Sequence, residues 1–280
     1  MFSSRKKIES NQICLICKSK TYLFAKIKNY EIYKCLICGF GFTTNLKKQT
    51  GDYHRDEEYF LEEDLFRNIF LKRVRIISKF VKPPAKILEV GCSNGLMLSL
   101  FKEKGYEVVG IEISTKASEL AEKKGIKVIR QPFEKIIFEE RFDVIIFNHT
   151  LEHLSNPLEV LRKAKKVLKP KGILYIDLPN FDSLSAKTLK GRWPLLLPDE
   201  HLWHFTEKAF INIFKNLDFK IIYVEKASGI WDLENPLKEL FVSFKGMKKR
   251  FFKEFITVKS SYIISKMKVG TDLMILARKK

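Results

Sequence analysis

The stretch from Ile87 to Gly95 constrains the fold of this chain more than any other. An apolar run through Val90 predicts a β-strand, a turn of small residues follows at 91–95, and the pattern from Leu96 to Lys104 predicts a helix. A strand, a glycine turn and a helix in this order are typical of nucleotide-binding α/β units. Glycine permits positive φ and close approach of a ligand to the backbone. The following helix presents unpaired N–H groups to a polar ligand. Taken alone, the turn is also compatible with a purely packing role.

Further alternation of strands and helices follows this unit. Ser114 is a suitable N-cap and Gly125 a suitable stop for the second helix of the series. Repeated βα units predict a parallel sheet covered by helices on both faces. The predicted class is therefore α/β, with a Rossmann-like seven-stranded sheet. Its strands after the first are predicted at 106–113, 127–130, 142–147, 173–178, 219–225 and 271–277, with helices at 115–124 and 158–168.

Four of the five cysteines form two pairs near the N-terminus, Cys14 with Cys17 and Cys35 with Cys38. The residues between the pairs alternate apolar and polar, which predicts a β-hairpin. Two such C-x-x-C pairs predict a tetrahedral Zn²⁺ site of the zinc-ribbon type. Four thiolates close the coordination sphere, so the predicted zinc is structural.

Charge divides the chain into three parts. The formal net charge is +19, and residues 1–50 contribute +8 (10 Lys/Arg, 2 Asp/Glu) while residues 238–280 contribute +9 (12 and 3), which leaves +2 for the middle. We predict a zinc-ribbon module at 1–50, a helical bridge at 51–84 with a helix from Glu57 to Val81, and the α/β domain at 85–280. Asp52, Tyr53 and His54 are candidates to cover a ligand or are solvated linker residues.

Composition limits the classes of protein to be considered. The apolar fraction of 45% supports a sizeable core and argues against global disorder. The first residues lack the apolar segment of a signal peptide, and no apolar run reaches 18 residues. We therefore expect a cytoplasmic protein, in which the cysteines stay reduced and bind metal rather than form disulfides.

Glu112 lies 21 residues after Gly91, at the end of the second predicted strand. A carboxylate at this place accepts hydrogen bonds from the ribose hydroxyls of a bound nucleoside. NAD(P) is the obvious competing ligand, but the turn lacks the GxGxxG pattern. The combination of loop and carboxylate predicts an adenosine site.

The motifs together resemble those of class I S-adenosylmethionine (SAM)-dependent methyltransferases. The resemblance rests on Glu89–Gly95, Glu112, Phe142-Asp143-Val144-Ile145 and Leu151-Glu152-His153, and covers about residues 60–230 plus the strand at 271–277. It departs from the family at Ser93, where a second glycine is usual. The resemblance implies a SAM-dependent methyltransferase and a set of residues around the cofactor: Glu89, Gly91, Cys92, Ser93 and Gly95 at the methionine part, Glu112 at the ribose, Ile113 and Phe133 at the adenine, and Asn148 and His149 toward the methyl group.

Methyl transfer requires in-line alignment of acceptor and donor, and a hydroxyl or amine acceptor also needs a base. Histidine is suited to that role near neutral pH. His153, His201 and His204 are the candidates for catalytic contact with the acceptor. His201 and His204 lie in an expected acceptor insert at 181–212, where Trp193, Trp203 and Phe205 offer apolar or sugar-stacking faces.

Three functions remain open from the sequence. The first is methylation of a small molecule such as a sugar, a glycolipid, or a polyprenyl-linked or quinone-like intermediate of cell-surface biosynthesis. A basic aromatic helical insert at 233–269 fits peripheral contact with the inner face of a membrane, or ordinary packing with a solvated lysine face. The second is an RNA methyltransferase whose basic ribbon binds RNA. The third is a non-catalytic binding protein with the same fold.

Overall fold

The computed structural model describes residues 9–44, 62–245 and 249–280. These residues form an α/β domain and a smaller β-sheet that lies against it. The described residues form twelve strands: β1 Glu9–Ile13, β2 Lys20–Ile27, β3 Tyr30–Cys35, β4 Gly41–Thr44, β5 Lys86–Val90, β6 Glu107–Ile111, β7 Lys127–Ile129, β8 Phe142–Asn148, β9 Leu168–Pro179, β10 Trp203–His204, β11 Phe219–Glu225 and β12 Asp272–Lys279. The α-helices of the described residues are α1 Glu63–Ile77, α2 Leu96–Lys102, α3 Thr115–Lys123, α4 Pro157–Val167, α5 Leu184–Leu189, α6 Glu207–Asn216, α7 Pro236–Lys245 and α8 Lys249–Lys266.

The large sheet has seven strands in the order β11-β12-β9-β8-β5-β6-β7. The pairs among β5, β6, β7, β8 and β9 are parallel, whereas β12 is antiparallel to both of its neighbours. The predicted sheet is thereby confirmed. Strand order reverses at β5, which pairs with β6 on one side and β8 on the other, so the loops after these strands meet at a topological switch point.

Burial explains why the central strands are apolar along their whole length. In β8 every residue except Asp143 is buried, and positions 144–147 alternate between two separate hydrophobic clusters. One cluster contains Ile145 and Phe147, and the other contains Val144 and Ile146. A strand covered by helices on both faces cannot alternate apolar with polar residues.

The predicted ribbon hairpin is present as β2 and β3, which are antiparallel. The small sheet has the order β1-β2-β3-β4-β10, and its last strand comes from far along the chain. β10 lies in the predicted acceptor insert and pairs with β4 through Trp203 opposite Phe42 and His204 opposite Gly41. The N-terminal sheet and the α/β domain therefore share backbone hydrogen bonds.

Three predicted elements differ in extent. The bridge helix begins at Glu63 and ends at Ile77, and residues 57–61 lie outside the described part, as do Asp52, Tyr53 and His54. Residues 169–172, which separate the predicted helix at 158–168 from the predicted strand at 173–178, lie within β9, where pairing with β8 shifts register and Lys171 has φ +61°. The predicted helical segment before the last strand is divided into α7 and α8.

Candidate cofactor and acceptor site

The glycine turn after β5 has the conformation that its residues allow. Gly91 has φ +73°, and a Cβ there would lie 2.6 Å from Thr150 Oγ1. Gly95 has φ +71°, and a Cβ there would lie 2.9 Å from Ala121 Cβ. Ser93, the departure from the family pattern, has φ +46°. The turn is therefore built as a left-handed loop in which two positions exclude any side chain.

Glu112 holds the loop from the end of β6. One carboxylate oxygen accepts a hydrogen bond from the Ser93 N–H at 2.9 Å, and the other accepts one from the Ser114 N–H at 2.9 Å. Ser114 caps α3 in turn by accepting from the Ala117 N–H. A carboxylate fixed by two backbone donors has further lone pairs that can accept ribose hydroxyls. The predicted ribose carboxylate thus lies directly against the glycine loop.

Glu89 lies on β5 just before the glycine turn, and its surroundings fit a cationic ligand. Its side chain is buried, and Oε2 has no hydrogen-bond partner among the described residues. Burial, with the nearby charge of Glu112, raises the pKa of Glu89 well above its ordinary value. A buried carboxyl without a partner is costly. A ligand carrying an ammonium or sulfonium charge would supply the missing partner.

The other predicted cofactor residues lie around the same loop. Ile113 is 66% exposed just beyond Glu112, whereas Phe133 is buried and meets Phe147 edge to face with centroids 5.8 Å apart. Cys92 is buried under the turn, and a Cβ on Gly110 would come within 2.5 Å of its sulfur. An exposed aliphatic side chain beside the ribose carboxylate fits packing against an adenine ring.

The end of β8 carries Asn148 and His149 beside the loop. The backbone N–H of His149 donates to the Asp177 carbonyl at 2.8 Å, and the backbone of His149 has φ +48°. Its imidazole is 40% exposed. Burial opposes a charge on this ring, but the carboxylates of Glu152, Asp177 and Asp272 outweigh it and raise the pKa of His149 to about 9. The Nδ1 atom lies 3.7 Å from Glu152 Oε1.

A cavity of about 400 Å³ opens at Asn148 and His149. One wall is apolar and comes from α1 and the 3₁₀ segment at 229–232. The floor is polar. The lining residues are Leu65, Phe66, Ile69, Phe70, Arg73, Asn148, His149, Gly229, Ile230, Asp232, Leu233, Thr257 and Asp272. A cavity with one apolar wall and a charged floor suits an amphipathic ligand.

Arg73 organises the floor of this cavity. Its guanidinium is 2% exposed and pairs with Asp177 at 2.8 Å and with Asp232 at 2.5 Å. Burial acts against the charge of Arg73, but the two carboxylates outweigh it and raise its pKa. Burial also raises the pKa of Asp272, to about 7, with the charge of Asp232 adding to the effect. Sequence reasoning missed this group, although Arg73 within the apolar stripe of a helix was a signal that could have found it.

None of the three histidines singled out in the sequence is among the residues that line the cavity. His201 and His204 are 5% and 3% exposed between the small sheet and the α/β domain, and His153 is half-buried beside them. The rings of His153 and His201 are 4.8 Å apart. His204 donates from Nε2 to the Thr43 hydroxyl at 3.0 Å, because that hydroxyl donates to the His201 carbonyl.

The aromatic residues of the 181–212 segment fill the same boundary. Trp193 is 3% exposed and packs on Phe181, and Phe205 is 1% exposed and stacks on Phe210 with centroids 4.9 Å apart. Trp203 stacks on Phe40 of the small sheet. The expectation that Trp193 and Phe205 present faces to a ligand is therefore wrong, because the ribbon covers them.

The four paired cysteines lie together at one end of the small sheet. Sulfur–sulfur distances are 3.6 Å for Cys14–Cys38, 3.4 Å for Cys17–Cys35 and 3.6 Å for Cys17–Cys38. A tetrahedral ion with bonds of about 2.3 Å requires sulfurs about 3.8 Å apart. The Ile37 and Cys38 N–H groups both donate to Cys35 Sγ. The cluster could hold a metal ion, and the donor set fits zinc.

Comparisons with known proteins agree with this geometry. Residues 60–224 match a family model described as a methyltransferase domain. An uncharacterised protein of Methanocaldococcus jannaschii is 30% identical over 59% of this chain and 79% of its own length. The ubiquinone biosynthesis O-methyltransferase of Haemophilus ducreyi is 29% identical over 44% of this chain, and the match spans only 55% of that enzyme.

A solved SAM-dependent methyltransferase from Thermotoga maritima has the same fold, with a TM-score of 0.54 at 17% identity. The likeness covers 80% of this chain and 94% of that one. At this identity the likeness concerns the fold. The family match extends from α1 to β11 and includes the glycine loop, Glu112 and the end of β8. This chain belongs to the methyltransferase domain family, and it shares its fold with a SAM-dependent methyltransferase.

Proposed function

We propose that this protein transfers the methyl group of SAM to a small-molecule acceptor that is bound in the cavity at the end of β8. The acceptor is a sugar, a glycolipid, or a polyprenyl-linked or quinone-like molecule. The observation that carries the proposal is the position of that cavity. It combines an apolar wall with a charged floor, and His149 belongs both to its lining and to the strand end beside the cofactor loop.

The cofactor would be held by the loop and the two carboxylates. Glu112 would accept the ribose hydroxyls, Ile113 and Phe133 would pack at the adenine, and Glu89 would pair with the methionine ammonium. SAM supplies an electrophilic methyl group, so the chain's task is alignment rather than activation of the donor. Holding two reactants in line contributes up to about 7–11 kcal/mol.

On the acceptor side, His149 is the histidine best placed to meet a reacting hydroxyl or amine. His153, His201 and His204 stay candidates from the sequence, but the lining of the cavity favours His149. Asp272 is a second group on the floor that can hold a proton, since its pKa is raised to about 7. The apolar wall, including Phe66, Phe70 and Ile230, would hold the ring or chain of the acceptor and exclude water.

Peripheral membrane contact belongs to the same proposal. Residues 236–268 contain nine Lys or Arg and two Glu. Among the described side chains of this segment, the exposed large apolar ones are 44–77% exposed, and they are Leu237, Phe241, Phe244, Phe255, Ile256, Tyr262, Ile263 and Met267. An exposed apolar surface surrounded by lysines fits an anionic bilayer. Thr257 of α8 lines the cavity, so a lipid-linked acceptor could reach it from this surface. Among the described residues, no helix is long and apolar enough to cross a membrane.

The cofactor part of the proposal is tested by calorimetric titration of SAM. Glu112→Gln should weaken binding by about 10- to 150-fold, since hydrogen bonds to a charged group are worth about 1.5–3 kcal/mol. Glu122→Gln, which removes an exposed partner of Arg130, is the matched control and should bind normally. Equal affinity of both variants would contradict the assignment of the pocket.

The acceptor part is tested by transfer of labelled methyl groups from SAM. The panel contains polyprenyl phenols, glycolipid precursors, sugar nucleotides and RNA fragments. Transfer to RNA alone would overturn the proposal in favour of the RNA hypothesis, and binding of SAM without any transfer would favour a non-catalytic role. Sedimentation with anionic and with zwitterionic vesicles tests membrane contact. Ile256→Glu should reduce binding to anionic vesicles, whereas Ile137→Glu, at a 92% exposed position outside these helices, should not.

A further inference from the structure

Glu152 is a buried carboxylate whose charge nothing nearby satisfies by hydrogen bonding. It is 1% exposed, and neither Oε1 nor Oε2 has a hydrogen-bond partner among the described residues. His149 Nδ1 lies 3.7 Å from Oε1, which is beyond hydrogen-bond length. A buried carboxyl group whose two oxygens accept no hydrogen bond is costly, and a bound metal ion would offset that cost.

Two imidazoles converge on this carboxylate from different parts of the chain. His153 is the next residue on the same 3₁₀ turn, Leu151–His153, and His201 comes from the segment before β10. One ligand atom from each of Glu152, His153 and His201 lies within 4.8 Å of the other two. These three residues are separate from the four cysteines of the ribbon.

The hydrogen bonds of the two histidines select the tautomer that a metal ligand needs. His201 Nδ1 is 3.0 Å from the Leu195 carbonyl, and His153 Nδ1 is 3.0 Å from the Glu200 carbonyl. A carbonyl only accepts, so each Nδ1 carries the proton and each Nε2 carries a lone pair in the neutral ring. Metal-binding histidines characteristically donate their other N–H to a backbone carbonyl or carboxylate.

The geometry points to a second metal site, in which Glu152, His153 and His201 bind one divalent transition-metal ion. Two imidazoles and one carboxylate suit Zn²⁺, Fe²⁺ or Mn²⁺ more than Mg²⁺ or Ca²⁺, which prefer all-oxygen sites. Bonds of about 2.0–2.2 Å place tetrahedral ligand atoms about 3.4 Å apart, so a small inward movement completes the set. Three protein ligands leave a coordination position for water or another oxygen.

The site would lie between the ribbon and the proposed active site. Its Glu152 ligand is 3.7 Å from His149, which lines the acceptor cavity, and the His201 carbonyl accepts from Thr43 of β4. The competing explanation is a proton shared between Glu152 and one of the imidazoles, with no metal. That explanation and the metal site predict different metal contents.

Metal content of the full chain therefore tests the site without any activity assay. The purified protein is stripped with a chelator, reconstituted with excess Zn²⁺, desalted and measured by mass spectrometry for zinc per chain. We expect two equivalents in the wild type and one in Glu152→Gln and in His201→Asn. His204→Asn changes a buried histidine of the same segment that is not one of the three ligands, and it should keep two.

Reconstitution with Co²⁺ identifies which of the two sites, the cysteine cluster or the Glu152–His153–His201 site, has lost its ion in a variant. Thiolate-to-cobalt charge-transfer absorption arises only from the cysteine site, so it should be equally strong in the wild type and in Glu152→Gln, while total cobalt falls from two to one. Circular dichroism and the melting temperature report whether each variant folds. If the wild type binds only one equivalent of zinc, the inference is overturned whatever the variants show, because that measurement involves no substitution. Two equivalents that persist in both Glu152→Gln and His201→Asn overturn it as well.

Discussion

Replacing Arg73 by Met tests whether the buried ion pairs hold the cavity floor together. Arg73 is 2% exposed between Asp177, which is fully buried, and Asp232, which is 14% exposed. Lys72 remains 3.8 Å from Asp232 after the change, so the cost falls mainly on Asp177. That carboxylate would keep only the Tyr175 hydroxyl on Oδ2, and its Oδ1 has no hydrogen-bond partner among the described residues.

Removing one partner of a buried pair costs about 3–5 kcal/mol because a buried charge stays uncompensated. That is a large share of the about 5–15 kcal/mol by which folded proteins are stable. Arg75→Met is the matched control on the same helix. Its pair with Glu234 is at the surface, with the Arg75 side chain 46% exposed, and is worth about 0–1 kcal/mol.

Urea unfolding followed by tryptophan fluorescence measures the free energy of unfolding of both variants. Adding Asp177→Asn to Arg73→Met should recover part of the loss, since the second change removes the unpaired charge. If Arg73→Met costs no more than Arg75→Met, the reasoning about desolvated charge is refuted. If the double variant is as unstable as the single one, the cost arises from packing and not from charge.

Three further outcomes follow from other contacts. Gly91→Ala should lower both stability and SAM affinity, because its Cβ would lie 2.6 Å from Thr150 Oγ1. Gly105→Ala, also at positive φ but with its nearest neighbour 3.8 Å away, should leave SAM titrations unchanged. Thr206→Val should cost about 1–2 kcal/mol in urea unfolding, since the hydroxyl caps α6 and donates to the Cys38 carbonyl, whereas the exposed Thr188→Val should cost little. Chelation of zinc should raise hydrogen exchange at β10 together with β2–β4, and protection of β10 after zinc loss would show that the two parts are independent.

The local pattern of the chain was enough to predict the large sheet and the glycine loop between β5 and α2. The apolar strands, Gly91, Gly95 and Glu112 are close in sequence or follow successive strands of a parallel sheet. The carboxyl ends of such strands meet at one edge by the rule of right-handed crossovers. The cysteine cluster was equally predictable from the sequence, because the spacing of the paired cysteines brings their sulfurs together.

The role of the 181–212 segment could not be predicted from the sequence in the same way. Its histidines and tryptophans have the composition of a ligand site, yet Trp193, Phe205, His201 and His204 are buried under the ribbon. Two residues of the segment, Trp203 and His204, extend a sheet whose other strands lie about 160 residues earlier in the chain. Pairing over that separation depends on how the two parts dock, which no local pattern encodes.

The sequence by itself determined the family, the glycine loop with Glu112 beside it and the cysteine cluster, because each depends on spacing within a strand–turn–helix unit or a hairpin. Only the tertiary structure decided which charged groups meet. It brought Arg73 of α1 to Asp177 of β9 and Asp232 of the 229–232 turn, and His201 to Glu152 and His153. The physical reason is desolvation: a buried charge is tolerated only beside its partner, and the partner is chosen by the packing of distant elements.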